Sequence, residues 1–317
     1  MAIDFDEDSG QKGQSLADYT VSASGLVSRT LSLWFRKLPH YILIAGGIIT
    51  ILTLLEVVTS FYILGELYTA GLPSDITSFI VQALYTLLYP SSVSETYSTL
   101  MIISSIFLVI SLIVNGVVVG AVVKLALDDY TSRSGNAGKS LSFAVSRFVP
   151  MVVAIVIINL IVGLFMAPGN VLLLYSLENV DLINMIIPEE MLTGLMLFVV
   201  LGIPVLYIII RLSPIYAVVI AEDVTGTGAF NRAFQMTRGH FMHVFTGLFV
   251  IFIVNFVLDL FINILVGGLE LILGPPLTLL IYNLIGLLLF TPLTYIFFAV
   301  LYMDLESRAR VAPQEYW

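Results

Sequence analysis

Asn255, Asp259 and Asn263 recur at every fourth residue of the run "NFVLDLFIN" (255–263). On an α-helix this spacing sets all three on one face. A carboxylate among so many apolar side chains is costly, so it is a functional candidate by default. Glu56, Arg211, Asn115, Asn159 and Asn283 interrupt other apolar runs in the same way. One chemistry they support is an outward-opening polar cavity in which Glu56 and Asp259 act as proton or cation sites. The other is hydrogen bonding between packed membrane helices, worth about 0.6 kcal/mol per contact on average. His40, His240 and His243 each stand at the start of an apolar run. A metal site needs three or four ligands, and no H-E-x-x-H pattern is present, so interfacial anchoring is expected of them and no metal or cofactor is expected. The chain has no Cys, hence no thiolate nucleophile and no disulfide. It also lacks the G-x-S-x-G, P-loop, dinucleotide-binding and EF-hand patterns. "VTGTGAF" (224–230) has glycines but no Lys at the phosphate position, and reads as a loop and helix cap. The expectation is a protein without enzymatic activity.

The elements that hold these residues are membrane spans. Of 317 residues, 59% are hydrophobic and only 11% charged. A globule of this length cannot hide so much apolar surface. The net charge of −9 argues against nucleic acid as a partner. At roughly 20 apolar residues per span, six are predicted: 40–64, 98–127, 149–167, 191–221, 241–266 and 277–303. The class is all-α and polytopic, a single membrane domain over 18–310 between an acidic tail (1–17) and a short C-terminal tail (311–317). Pro168-Gly169 is expected to end the third span, Pro204 and Pro214 to kink the fourth, Gly267-Gly268 to end or bend the fifth, and "GPP" (274–276) to turn into the sixth. "PSDITSFIVQALYTLLYP" (73–90) reads as an amphipathic helix that lies on the outer leaflet or caps the bundle.

The thirteen Lys and Arg all fall in alternate connections: the N-terminal segment, the 2–3 and 4–5 loops, the C-terminal tail and the adjoining span ends. The opposite loops carry only acids. Basic loops stay in the cytoplasm, so both termini are expected there, in a multi-pass protein of the cell membrane. Cysteines introduced at 5, 135 and 312 should resist an impermeant thiol reagent in intact cells while one at 180 reacts; labelling at 135 from outside would overturn this topology.

Each basic connection has a helical pattern before its span. Val27, Leu31, Trp34 and Leu38 make an apolar stripe opposite Ser28, Arg29, Ser32 and Arg36, with Pro39 as the stop. Leu141, Val145 and Phe148 oppose Ser142 and Ser146, with Lys139 and Arg147 at the ends. In "GAFNRAFQMTRGHF" (228–241), Phe230, Ala233, Phe234 and Thr237 oppose Asn231, Gln235 and Arg238, with Arg232 beside them, Thr227 as a cap and Gly239 as the stop. Basic amphipathic helices with aromatics lie in the membrane interface. The chain thus reads as three repeats of interfacial helix, outward span, acidic loop and returning span; the alternative is that basic loops with a few apolar residues arise in any membrane protein. The returning spans end in "LALDDY" (125–130), "VIAEDV" (219–224) and "LYMDLE" (301–306). A carboxylate at a helix C-terminus opposes the macrodipole, so Asp129, Asp223 and Asp304 are expected to meet Arg or Lys at the inner rim. Arg147, Arg232, Arg238, Glu222 and Arg308 are the other candidates for inner-rim ion pairs or for lipid headgroups.

"SPIYAVVIAED" (213–223), "GAFNRAFQMTRGHF" and "YMDLESR" (302–308) resemble the membrane domain attached to some glycerophosphodiester phosphodiesterases, and related stand-alone prokaryotic membrane proteins. The matching positions are Pro214, Glu222, Arg232, Thr237, Arg238, Gly239, Phe241, Tyr302, Asp304 and Arg308; Met242 and Glu306 depart from the pattern. The resemblance implies a six-helix membrane module. It does not imply phosphodiesterase activity, which resides in a separate barrel of about 250 residues. The expected function is binding or organising membrane lipid, anionic headgroups among them, or a partner protein. The alternative is a transporter or channel for a small solute or lipid that uses Glu56 and Asp259.

Overall fold

The computed structural model describes residues 19–64, 76–89, 95–178 and 188–311. Among them every regular element is helical, and six helices are long and apolar enough to cross a membrane: Leu38–Leu55, Ile102–Ser132, Phe148–Ser176, Glu189–Glu222, Phe241–Gly267 and Leu280–Arg310. The protein is therefore an all-α, multi-pass membrane protein. The chain divides into two compact units, one of Met1–Leu55, Ile113–Ala154 and Ile210–Trp317, the other of Glu56–Leu112 and Ile155–Ile209.

In the first unit, α1 (Ala23–Arg36) starts at Ser22, whose side chain accepts from the Gly25 N–H. After α2 (Leu38–Tyr41), a π-helical turn (Ile42–Gly46) leads into α3 (Gly47–Leu64). The end of α5 (Glu95–Ser132) is followed by α6 (Ala137–Ser146), capped by the Asn136 side chain. The start of α7 (Phe148–Glu178) and the end of α8 (Glu189–Leu212) also belong here, then α9 (Ile215–Glu222) and α10 (Gly226–Met236). The unit closes with α11 (Phe241–Gly267), the single turn α12 (Glu270–Leu273) and α13 (Pro275–Val311). The helix at 226–236 is separate from the fifth span, as its sequence implies: Gly239 has φ +81°, a left-handed conformation that ends it without strain. Thr225, and not Thr227, holds the N-cap position, and its side chain makes no cap bond. Gly274, at φ +77°, turns the chain into α13.

One of the three amphipathic helices, α6, buries a different face from the one its apolar stripe suggests, while α1 buries Val27 and Trp34 of its stripe. The buried residues of α6 are Ala137, Ser140 and Ala144, while Val145 is exposed. A Cβ built on Gly120 of α5 would lie 3.3 Å from the Ala144 Cβ, so small residues bring α6 hard against the span and leave its larger apolar residues outward. α1 buries Leu26, Val27, Thr30, Leu33 and Trp34 against α11 and α13. It is part of the packed core, with Leu26 filling the space over Gly247, whose added Cβ would stand 3.0 Å from it.

In the second unit, α4 (Ile76–Leu88) packs along α7. Val81 and Tyr85 meet Ala167 and Val171, Tyr89 stacks on Tyr175, and Thr77 Oγ1 reaches the Asn159 carbonyl at 3.5 Å. Contacts advance together along both helices, so α4 runs parallel to α7 beside it and does not lie flat across helix ends. Pro168-Gly169 does not end the third span: α7 continues through it to Glu178. A missing N–H is tolerated in a membrane helix whose neighbours support it, and Gly169 is where α7 meets α8 backbone to backbone, an added Cβ lying 2.9 Å from Phe198 N and 3.0 Å from Gly194 O.

Candidate functional site

The basic and acidic ends of the helices in the first unit form a chain of ion pairs. All three aspartates of the returning spans meet a basic group. Arg36, the last residue of α1, donates from Nε (3.0 Å) and Nη2 (2.7 Å) to Asp129 Oδ2, and from Nη2 to the Asp129 carbonyl (3.2 Å). Arg147, just past α6, pairs with Asp223. Asp223 caps α9 in the left-handed region, φ 56°, which Asp tolerates because its short side chain bonds locally. These contacts repeat one device: the arginine ending an amphipathic helix neutralises the carboxylate at the C-terminus of a returning span, where the helix dipole disfavours negative charge.

The third group is more elaborate. Arg232 Nε donates to both Glu222 oxygens (2.9 Å each) and Nη2 donates to Glu306 Oε2 (2.8 Å). Tyr302 donates to Glu222 Oε1 at 3.2 Å, and Arg310 Nε donates to the other oxygen of Glu306 (2.8 Å). Burial by itself lowers the Arg232 pKa, but the bond to Glu222 and the charges of Glu222 and Glu306 outweigh it and raise the value above that of free arginine. Arg232 is thus held charged between two carboxylates and is committed to the fold.

Asp304 is fully buried. Its Oδ2 takes His243 Nε2 at 2.8 Å and Arg308 Nε at 2.9 Å, and its Oδ1 takes the Val21 N–H at 2.7 Å. Arg308 also donates to the Val21 carbonyl, and Thr20 and Ser307 hydroxyls meet at 2.9 Å. The segment before α1 is therefore pinned by both of its main-chain groups to the end of α13, with Tyr19 buried edge-on against Tyr130 and Arg29 bonded to the Tyr130 hydroxyl. The described ends of the chain meet here. His243 serves this ion pair, a closer role than anchoring. His240, at the N-cap of α11, has its pKa lowered by burial and by the charges of Arg308 and His243, partly opposed by Asp304.

Two arginines remain outside this arrangement. Arg238 is exposed and, among the described residues, has no carboxylate partner. Arg211, near the end of α8, has its Nε buried without a partner, and its guanidinium stands 5.0 Å over the Phe234 ring. Phe234 stacks on Phe230 (4.9 Å). Thr237, adjacent to Arg238, donates to the Arg211 carbonyl at 3.2 Å, so both cations lie around the end of α10.

Asn159, Asn115 and Asp259, among the intramembrane candidates, make contacts within the described residues. Asn159 Nδ2 donates to the Ile155 carbonyl (2.8 Å) of its own helix. Asn115 has a polar or electrostatic contact. Glu56 and Asn283 fall on helices, but their side chains lie outside the described residues. Asp259 Oδ1 accepts from the Tyr282 hydroxyl at 2.5 Å. The break between α8 and α9 is enclosed in protein, with Leu212, Ser213, Pro214 and Ile215 all buried, and irregular backbone is tolerated there because side chains surround it.

Sequence reasoning did not single out Glu306, Tyr130, Tyr282 or the 19–21 segment. The i, i+4 spacing of Glu306 and Arg310 was the available signal for the first; the rest act across distant parts of the chain and carry no local signature. No family model, curated protein or solved structure matches this chain.

Proposed function

We propose that the protein is a non-enzymatic membrane module that binds anionic lipid headgroups at Arg211 and Arg238, and that it belongs with the stand-alone relatives of the phosphodiesterase-associated membrane domain. The observation that supports this reading is that, among the described residues, neither Arg211 nor Arg238 has a carboxylate partner, whereas Arg232 and Arg308 near them do. An uncompensated arginine at membrane depth is costly. A phosphate oxygen accepts bidentate bonds from a guanidinium in the geometry that carboxylates use elsewhere in this rim. Phe230 and Phe234 supply the apolar surface on which acyl chains rest. Arg232, which the sequence offers equally for this role, is occupied by Glu222 and Glu306.

The double substitution Arg211→Gln with Arg238→Gln should reduce retention of phosphatidylglycerol in native mass spectrometry by tenfold or more, as about 1.5–3 kcal/mol per charged hydrogen bond implies. The melting temperature should change little. Arg232→Gln should do the opposite, destabilising the fold while the remaining folded protein keeps its lipid. Retention that survives the double substitution would refute the assignment.

A further inference from the structure

The junction between the segment before α1 and the end of α13 also gathers two histidines. Asp304 Oδ2 is shared by His243 Nε2 at 2.8 Å and Arg308 Nε at 2.9 Å, while Oδ1 holds the Val21 N–H at 2.7 Å. Arg308 Nη2 in turn holds the Val21 carbonyl. Both main-chain groups of Val21 thus depend on one ion pair, whose two charges cancel.

His240 stands three residues before His243, at the N-cap of α11, with its ring half-buried. Its main chain is tied on both sides: its N–H donates to the Thr237 carbonyl at 3.2 Å, and its carbonyl accepts from the Val244 N–H at 3.0 Å. Burial lowers its pKa most, followed by the charges of Arg308 and His243, while the Asp304 carboxylate opposes them. A helix N-terminus also disfavours a cation. Around the carboxylate stand Tyr130 of α5, within range of the Asp304 charge, Tyr19 edge-on against Tyr130, and Arg29 of α1, bonded to the Tyr130 hydroxyl. On α13, Glu306 is taken by Arg232 and Arg310. Arg238 lies two residues before His240 in the chain.

We propose that this junction is a proton-operated clasp, in which a proton taken from water by His240 sets its imidazolium in competition with Arg308 for Asp304 and loosens Val21 from the end of α13. The imidazolium is attracted by the carboxylate and repels the guanidinium, and that guanidinium is the group holding the Val21 carbonyl. Above histidine's ordinary value of about 6.5 the ring is neutral in the clasped and released forms alike, and the clasp is intact. As the pH falls from there through the lower value of the clasped form, the released form binds more protons and is favoured. α1 then loses the anchor at its start while keeping its own packing on α11 and α13. The device does not depend on lipid binding at Arg211 and Arg238.

The test is amide hydrogen exchange of the whole wild-type protein in detergent at about pH 7.5 and about pH 5, with rates corrected for the intrinsic pH dependence of exchange and α4 amides as the reference. Protection of the Val21 N–H should fall roughly threefold to fivefold relative to α4, the coupling expected between partly exposed charges. His240→Asn, which retains a residue suited to an N-cap, should keep the high protection at both pH values. His240→Arg sets a permanent cation at the same place and should show the low protection at both. Unchanged protection in the wild type overturns the proposal. An equal fall in His240→Asn also overturns it, because the proton then acts at another group. The wild-type comparison needs no variant to fold, and His240→Gln replaces His240→Asn if that variant does not.

Discussion

Asp304→Ala should destabilise the protein by about 3–5 kcal/mol, the range for breaking a buried pair by removing one partner. The carboxylate is fully buried and accepts from three separate parts of the chain: Arg308 on its own helix, His243 on α11 and the Val21 N–H. Alanine leaves a guanidinium, an imidazole and a backbone N–H short of an acceptor at one point. Arg308→Ala should cost less, because His243 and Val21 still satisfy the carboxylate. The N-terminal segment should be loosened by Asp304→Ala before the bundle unfolds, since this carboxylate holds both the Val21 N–H and the Arg308 guanidinium that bonds the Val21 carbonyl. Limited proteolysis near residue 20, followed beside thermal melting in detergent, separates the two effects. An unchanged melting temperature and unchanged cleavage would show that this junction is not holding the ends together.

Gly169→Leu should be as damaging, for a different reason. A Cβ at this position would lie 2.9 Å from Phe198 N and 3.0 Å from Gly194 O, both backbone atoms that cannot rotate away. α7 and α8 must then separate. Overpacking of a well-packed contact costs roughly 1–3 kcal/mol or more, and a leucine adds three carbons beyond the clashing one. Gly194→Leu meets Gly169 O at 3.1 Å from the other side and should behave alike. Gly202, also on α8, has nothing within 4 Å of an added Cβ. Gly202→Ala should therefore be neutral or gain about 0.5–1 kcal/mol from helix propensity. Thermal melting of the three variants under one detergent condition checks the contrast, and equal behaviour at 169 and 202 would deny the close approach.

The carboxylates at the ends of the returning spans were legible because a charge at the wrong end of a helix dipole demands a partner, and basic residues were at hand in the neighbouring segments. Which arginine serves which carboxylate was not legible. Arg232 lies on α10 and Arg238 two residues past its end, and local pattern offers both to lipid. The packing of α9 and α13, which carries Glu222 and Glu306 to Arg232, commits one of them to the fold and leaves the other exposed.

Hydropathy and the one-sided placement of Lys and Arg are enough to define six spans and an all-α membrane protein, because burial in a bilayer depends on long runs of composition and each helix satisfies its own backbone. The same logic places the breaks at Gly239 and Gly274, which need only local backbone conformation. It misjudged Pro168-Gly169, Thr227 and the inward face of α6, where a neighbouring helix sets the outcome. A glycine next to a proline reads as a terminator until Gly194 is found against it, and small residues read as neutral until Gly120 meets Ala144. Contacts between elements far apart in sequence, from Val21 at one end to Asp304 at the other, have no period to detect and emerge only when the helices pack.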